Sequence, residues 1–210
     1  MGAYRSVALL LVNIVGIALI HGAAAPTRRE YLSLLNALQQ RAEDPYIQAR
    51  CDLQTNPGLP DDVRAANSIQ GTVTFKQLKT GGSMNVSVQL TGLDTSSATL
   101  HGFHVHQFGD LSNGCASTGG HFNPFGKQHG GPSDTQRHVG DFGNVERDSV
   151  GSVNEEFSDE VASLVGADTI IGRAIVLHKD TDDLGRGDYD DSLTTGHAGA
   201  RLACCIIEQV

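Results

Sequence analysis

The sequence has no tryptophan, and aromatic residues make up only 5% of its 210 residues. Basic residues are also few: the sequence has 15 Lys and Arg but 24 Asp and Glu, which gives a formal net charge of −9. A chain with this balance lacks the basic face that nucleic-acid binding requires. The same balance excludes binding to anionic membranes through bulk charge. Nucleic acid is therefore not expected among its partners.

Long hydrophobic runs are absent except for one near the N-terminus, VALLLVNIVGIALI at residues 7–20. Arg5 precedes this run and the small residues of HGAAAP follow it, which is typical of a secretory signal peptide cleaved near residues 23–25. The run is short for a bilayer span, although an N-terminal membrane anchor is the alternative. The sequence therefore predicts a signal peptide at residues 1–24, no transmembrane anchor, and secretion into the extracellular space.

Only four cysteines are present, at positions 51, 115, 204 and 205. Export would place them in an oxidising compartment, in which disulfides persist. Cys204 and Cys205 are neighbours in a predicted terminal strand and point to opposite faces, which disfavours a bond between them. Two pairings remain open, each joining Cys51 and Cys115 separately to the last strand. A free thiol or an intermolecular bridge is the alternative.

One motif indicates a covalent modification. Asn85 begins the triplet NVS, the acceptor pattern for N-glycosylation. The triplet is short and also occurs by chance, but export of the chain would favour its use. Asn85 is therefore a candidate glycosylation site.

Helical patterning is confined to residues 27–44, TRREYLSLLNALQQRAED. Thr27 and Glu30 fit a capping box, and Pro45 ends the segment. The helix has one apolar stripe, formed by Tyr31, Leu34, Leu35, Leu38 and Ala42. This stripe packs either on its own chain or against another subunit. We assign residues 25–65 to a helical segment and linker and treat the segment as a candidate for oligomerisation.

From residue 66 onward the chain alternates apolar and polar residues in short runs separated by glycine-rich turns. SIQGTVTFKQL and SMNVSVQLTGL are the first two such runs, and LHGFHVHQF, TIIGRAIVLH and RLACCIIEQV come later. Several short strands with almost no helix predict an all-β domain at residues 66–210, an antiparallel sandwich or barrel. Residues 109–138 and 179–200 fit no strand, and loops this long are either disordered or functional.

Histidines concentrate in this domain. In GFHVHQFGD, His104 and His106 flank one valine, so that on a strand both rings project from the same face. Such a pair can hold a metal ion, or it can be a solvated strand face. The strand AIVLH ends at His178, and the first long loop adds His121, His129, His138 and Asp141. Because imidazole and carboxylate suit zinc and several imidazoles suit copper, this set indicates a metal site.

Taken together, the motifs resemble those of the copper/zinc superoxide dismutase family. GFHVHQFGDLS and GHAGARLACCII match its two signatures, and HFNP, HGGP, HVGDFGN and VLHKDTDDLGRG match between them in the same order. The leading peptide, the helix followed by a cysteine, and the doubled cysteine at 204–205 favour the extracellular branch. The resemblance covers residues 66–208 and implies a Greek-key antiparallel β-sandwich or barrel of about eight strands with two long functional loops.

The resemblance also implies a metal site with one copper and one zinc ion per subunit. The copper ligands would be His104, His106, His121 and His178. The zinc ligands would be His121, His129, His138 and Asp141, so that His121 bridges the two ions. Asp182 would orient the rings of His104 and His129.

Further roles follow from the same resemblance. Arg201 would lie beside the open copper position and attract the anionic substrate, with His121 as the second catalytic group. The disulfides would be Cys115–Cys204 and Cys51–Cys205. The implied reaction converts superoxide to dioxygen and hydrogen peroxide by redox cycling of copper, as antioxidant defence outside the cell. The implied assembly is a homodimer or homotetramer.

The sequence departs from the family pattern at two places. Asp180 and Thr194 stand where intracellular relatives carry lysines, which leaves Lys179 and Arg186 as the cations of the second loop. The last residues contain no Lys/Arg cluster, so heparin binding is not expected. Two other functions fit the sequence less well. A metal-delivery module on this fold would lose copper ligands and carry a CxxC motif, and a purely structural glycosylated domain would not keep the complete ligand set.

Overall fold

A computed structural model describes residues 27–210 of the chain. The predicted signal peptide at residues 1–24 lies outside the described residues. The chain divides into two compact units at Pro45. Within the part described, no helix has the length and apolar character needed to cross a membrane.

The first unit contains helix α1, Arg28–Glu43. The predicted capping box is confirmed: the Thr27 backbone N–H donates to Glu30 Oε2 at 2.7 Å, and the Glu30 N–H donates to Thr27 Oγ1 at 3.3 Å. Tyr31 and Leu34 of the predicted apolar stripe are 37% and 39% exposed. The helix ends two residues before Pro45, whose ring disfavours helical geometry in the preceding residue.

The regular secondary structure of the second unit consists almost entirely of β-strands. These are β1 Tyr46–Thr55, β2 Gln70–Leu78, β3 Met84–Thr91, β4 Leu100–His106, β5 Ser112–Cys115, β6 Asp141–Glu146, β7 Val153–Asp159, β8 Ala174–His178, β9 Arg201–Ile206 and β10 Glu208–Gln209. Two short helices, α2 Asp61–Ala66 and α3 Ser192–Thr195, and a 3₁₀ turn, Ala116–Thr118, lie in the connections. The first long loop of the prediction thus contains the short strand β5.

Strand pairing is antiparallel throughout, in the order β6-β4-β8-β9-β1-β2-β3-β7. The short strand β10 pairs with β1. The result is a nearly closed antiparallel barrel, which confirms the expected all-β fold. Closing the sheet in this way leaves few unpaired strand edges.

The core lies inside the barrel, where one face of each strand contributes side chains. In β3, Met84, Val86, Val88 and Leu90 are buried while the alternating positions face outward. Strand β4 differs, because its residues from 101 to 106 are all buried. Its apolar side chains, Phe103 and Val105, join the barrel core. Its histidines at 104 and 106 therefore lie on the opposite face, beneath the long loops.

Strand β1 begins at Tyr46, within the segment that the sequence analysis assigned to helix and linker. It pairs with β2 over nine residues, from Tyr46–Leu78 to Gln54–Gln70. The sheet therefore starts 20 residues before position 66. Its buried face is formed by Ala49, Cys51 and Leu53. The apolar residues of YIQARCDLQT alternate with polar ones, but Ala49 and Cys51 are small, and the segment was assigned to the linker instead.

Candidate metal centre

Four buried histidines meet on the outer face of β4 and β8. His104 and His106 come from β4 and His178 ends β8, while an isolated bridge pairs His121 with His106. One ring nitrogen of each lies within 4.8 Å of the others. Gly102 allows this convergence, because a Cβ there would lie 2.7 Å from Ala198 Cβ and 3.0 Å from His104 Cε1.

A second cluster surrounds the carboxylate of Asp141, at the start of β6. Its Oδ1 lies 2.8 Å from His121 Nδ1, 3.0 Å from His138 Nδ1 and 3.0 Å from His129 Nδ1. Its Oδ2 accepts the backbone N–H groups of His138 and Gly130 at 2.7 and 3.1 Å. These backbone bonds leave Oδ1 to the three rings. The two clusters share His121.

Several ring nitrogens in these clusters lack the partner that a buried polar atom needs. His104 Nδ1, His121 Nε2 and His129 Nδ1 are buried without a hydrogen bond, although His129 Nδ1 is close to Asp141 Oδ1. A buried polar atom without a partner is costly in free energy, so each of these three nitrogens is suited to a metal ion.

His106 and His178 provide a further sign of a cation. Their Nδ1 atoms face the backbone oxygens of Gly119 and Gly199 at 2.9 and 3.1 Å, and a carbonyl can only accept, so both Nδ1 atoms carry the proton. Their Nε2 atoms therefore present lone pairs to each other across 3.2 Å. A cation between them would remove this repulsion. The donor set thus fits copper in the four-histidine cluster and zinc in the cluster with Asp141.

Asp182 links the two clusters. Its carboxylate accepts from His104 Nε2 at 2.9 Å and from His129 Nε2 at 2.8 Å, and it is completely buried. These bonds leave Nδ1 of each ring as the atom that can bind metal. Asn144 holds Asp182 through two bonds, donating from Nδ2 to its carbonyl at 2.9 Å and accepting its N–H at 2.8 Å.

The pKa values of these groups follow from burial and from neighbouring charge. Burial lowers the pKa of His104 and His106 well below the ordinary value, and that of His178 to about 3. Burial also lowers the pKa of His129, but hydrogen bonds and the charges of Asp141 and Asp182 outweigh it and raise that pKa to about 9. The rings of His104, His106 and His178 therefore favour the neutral form, which is the form that binds a metal ion.

Arg201 begins β9 opposite His178 in the strand register. Its Nη1 donates to the Cys115 carbonyl at 2.7 Å and to Thr118 Oγ1 at 3.0 Å, and its Nη2 donates to the Gly119 carbonyl at 2.7 Å. The side chain is only half-buried, so its charge stays accessible from solvent.

Two disulfides join the last long strand to earlier parts of the chain. Cys51 bonds Cys205, with a Cα–Cα distance of 5.5 Å, and Cys115 bonds Cys204, with a Cα–Cα distance of 5.8 Å. The second bond fixes the end of β5, beside the carbonyl that Arg201 contacts. Asn85 lies exposed on β3 and accepts a hydrogen bond from Ser158 Oγ at 2.9 Å.

Sequence reasoning missed several residues that support the site. Thr118 contacts both Arg201 and His106, Asn144 holds Asp182, and Gly196 leaves room for the Asp182 carboxylate beside the His129 ring. Thr, Asn and Gly are common residue types, so they carried no signal of this role.

Comparisons with known proteins agree with this geometry. A family profile described as copper/zinc superoxide dismutase matches residues 69–207. A superoxide dismutase [Cu-Zn] of Schizosaccharomyces pombe is 50% identical over 145 residues, which are 69% of this chain and 93% of the relative. An extracellular superoxide dismutase [Cu-Zn] of Drosophila melanogaster is 48% identical over 139 residues, 66% of this chain and 75% of the relative.

Among solved structures, the clock protein EA4 is similar, with a TM-score of 0.67 and 44% sequence identity. The match covers 77% of this chain and 93% of that protein. The profile spans well over half of the chain, and the ligand clusters lie within it. The chain therefore belongs to the copper/zinc superoxide dismutase family.

Proposed function

We propose that this superoxide dismutase is secreted and removes superoxide in the extracellular space, as antioxidant defence. The single observation that carries the enzymatic function is the pair of buried ligand clusters that share His121. Secretion is supported by the signal-peptide pattern, by the use of all four cysteines in disulfides, and by the similarity to an extracellular relative.

We assign copper to His104, His106, His121 and His178, and zinc to His121, His129, His138 and Asp141. The unpartnered Nδ1 of His104 and the facing Nε2 atoms of His106 and His178 support the first set. The convergence of three Nδ1 atoms on one carboxylate oxygen supports the second. His121 serves both, because its Nδ1 faces Asp141 while its Nε2 is unpartnered.

Copper, when bound, supplies one-electron redox chemistry, and zinc supplies none. The reaction consumes two superoxide anions and two protons and yields dioxygen and hydrogen peroxide. The half-buried guanidinium of Arg201 attracts the anion and orients it at the mouth of the site. His121 Nε2 is the buried atom at which the chain can hold a proton for the peroxide product. Asp182 keeps the rings of His104 and His129 oriented throughout.

Arg201 must provide much of the local attraction, because the chain as a whole is acidic. Arg186, in the second loop, is paired with Asp134 at 3.0 Å, so its charge is largely neutralised. Asp180 and Thr194 add no positive charge at the positions where intracellular relatives carry lysines. A local field can still draw an anion into a cleft against the sign of the net charge.

Helix α1 is proposed to support a homodimer or homotetramer, whereas the rest of the segment up to residue 65 includes strand β1 of the barrel. The apolar side chains of Tyr31, Leu32 and Leu34 are more than one-third exposed, which is costly unless another surface covers them. Native mass spectrometry of the mature protein, with and without residues 25–45, tests this assignment. A truncated protein with an unchanged oligomeric state would contradict it.

The enzymatic function is tested by measuring copper and zinc per chain together with superoxide consumption, before and after chelation. We expect one ion of each metal and activity that chelation removes and copper restores. A protein that binds zinc but no copper, and has no activity, would overturn the assignment.

Secretion is tested by expressing the full chain in eukaryotic cells and analysing the medium. We expect active protein there, with a mass that shows removal of about 24 N-terminal residues. If a glycosidase lowers the mass of the native protein but not that of the Asn85→Gln variant, the glycan is attached to Asn85. Active, unprocessed protein confined to the cells would contradict extracellular function.

A further inference from the structure

Thr118 lies in the 3₁₀ turn that follows the Cys115–Cys204 disulfide, and its side chain is fully buried. A hydroxyl can donate one hydrogen bond and accept two. The Thr118 hydroxyl has all three partners: the Cys115 carbonyl at 2.9 Å, Arg201 Nη1 at 3.0 Å and His106 Nδ1 at 3.2 Å.

The direction of each bond follows from its partner. The Cys115 carbonyl can only accept, so the single Thr118 proton points to it. The Arg201 guanidinium can only donate. His106 Nδ1 carries the proton, because it also faces the carbonyl of Gly119. The oxygen of Thr118 therefore accepts from both Arg201 and His106.

The two donors share a second acceptor as well. The Gly119 carbonyl accepts from Arg201 Nη2 at 2.7 Å and from His106 Nδ1 at 2.9 Å. Arg201 and His106 are thus held against the same two oxygen atoms. Of these, the backbone oxygen would be present with any side chain at position 118, whereas the hydroxyl depends on Thr118 itself.

We propose that Thr118 is a positioning residue for the dismutase reaction, whose hydroxyl holds the Arg201 guanidinium and the His106 ring in one fixed arrangement. The inference rests on the roles proposed above for Arg201 as the anion guide and His106 as a copper ligand. The arrangement sets the direction in which the guanidinium meets an incoming anion. Without the hydroxyl, both groups keep the Gly119 carbonyl and lose their second common acceptor.

The test compares Thr118→Val, which replaces the hydroxyl by a methyl of similar size, with Thr118→Ser, which keeps the hydroxyl. The probe is azide, a small anion, titrated optically against the copper- and zinc-loaded proteins. We expect Thr118→Val to keep both metals and to bind azide about fivefold more weakly, since a hydrogen bond to a charged group is lost. Thr118→Ser should bind azide as the native protein does.

Two further readouts separate positioning from a general loss of structure. The electron paramagnetic resonance spectrum of the Cu²⁺-loaded Thr118→Val protein should differ from that of the native protein, because His106 is less constrained. In an Arg201→Ala background, Thr118→Val should weaken azide binding less than in the native background, since only its effect through His106 remains. If Thr118→Val does not fold, Thr118→Ala removes the hydroxyl without adding bulk and takes its place.

The inference is overturned if the variant without the hydroxyl binds azide and gives a spectrum like the native protein. It is also overturned if Thr118→Ser is equally impaired, or if the loss is the same in the Arg201→Ala background. Failure of the proposed function is a different result, because the native protein would then lack copper-dependent activity.

Discussion

His104 and His129 are tied to each other through one carboxylate, because both donate from Nε2 to Asp182, at 2.9 and 2.8 Å. The two rings belong to different ligand clusters, and 25 residues separate them in the sequence. A single side chain therefore sets the orientation of one ring in each of the two clusters.

Replacing Asp182 with asparagine should weaken metal binding while leaving the fold intact. Asparagine has one oxygen, so it can accept from only one of the two rings, and its amide would face the N–H of the other. Loss of a partner that orients metal ligands costs about 10- to 100-fold in metal affinity. Competition with a chromophoric chelator measures the affinities for zinc and for copper separately.

Asp190→Asn is the matched control, because Asp190 lies in the same loop, is exposed, and undergoes the same change of charge. Its metal affinities should be those of the native protein. Equal affinities in the two variants would contradict the orienting role of Asp182.

Arg201→Ala should slow the reaction mainly at the stage of substrate encounter. The expected fall in kcat/KM is about tenfold at low ionic strength, and the dependence of the rate on salt should weaken, since steering by charge is screened. Stopped-flow rates over a range of ionic strength measure both effects. Arg186→Ala removes a charge already paired with Asp134 and should change the rate little. Native rates for Arg201→Ala at low ionic strength would refute its role.

Gly196→Ala should lower zinc affinity, because the added methyl group crowds the carboxylate of Asp182. Gly196 has a φ of +65°, and a Cβ there would overlap Asp182 Oδ1 and lie 2.5 Å from His129 Nε2. The carboxylate or the loop must move, which breaks the bond that orients His129. The measurement is zinc affinity by chelator competition.

Gly172→Ala controls for backbone strain, because its φ is +80° but no atom lies within 4 Å of the added carbon. Both variants share the cost of a left-handed conformation, which lowers the free energy of unfolding by about 1 kcal/mol. Only Gly196→Ala should lose zinc affinity. An equal loss in both variants would show that strain, rather than contact with Asp182, is responsible.

Removing either disulfide should lower stability, but only one removal should also lower activity. Each closes a long loop, with sequence separations of 154 and 89 residues, so removing either should lower the free energy of unfolding by about 2–5 kcal/mol. Only Cys115→Ala/Cys204→Ala also frees the segment whose carbonyl binds Arg201, and it should lose activity as well. Denaturation curves and activity of the metal-loaded variants test this, and equal activity in both would contradict it.

Arg147 should be important for stability although it belongs to neither ligand cluster. Its buried guanidinium donates to four backbone carbonyls at 2.8–3.1 Å, those of Thr95, Ser97, Ala98 and Asp148. Arg147→Met would remove four hydrogen bonds made by a buried charged group, at a cost of about 2–4 kcal/mol in urea denaturation. Arg50→Met, at an exposed ion pair with Asp52, should cost much less, since solvent screens that pair. Similar losses in the two variants would refute the assignment.

Local pattern in the sequence was sufficient for much of this description. The alternation in LHGFHVH placed His104 and His106 on one strand face, and the capping box placed the start of α1. The signature motifs were sufficient to indicate the family. These features depend on residues within a few positions of one another, which is the range over which strand and helix periodicity acts. Strand β1 was not predicted from the sequence, because its apolar positions include small residues such as Ala49 and Cys51.

Other features were decided only by the tertiary structure. From the residues alone, two disulfide pairings were equally acceptable, and the packing of β1 and β5 against β9 decides that Cys51 bonds Cys205 and Cys115 bonds Cys204. The sharing of Asp182 by two rings, and of the Thr118 hydroxyl by Arg201 and His106, joins residues up to 83 positions apart. Periodicity carries no information about such contacts, because they arise from the packing of long loops onto a barrel whose strand order the sequence does not display.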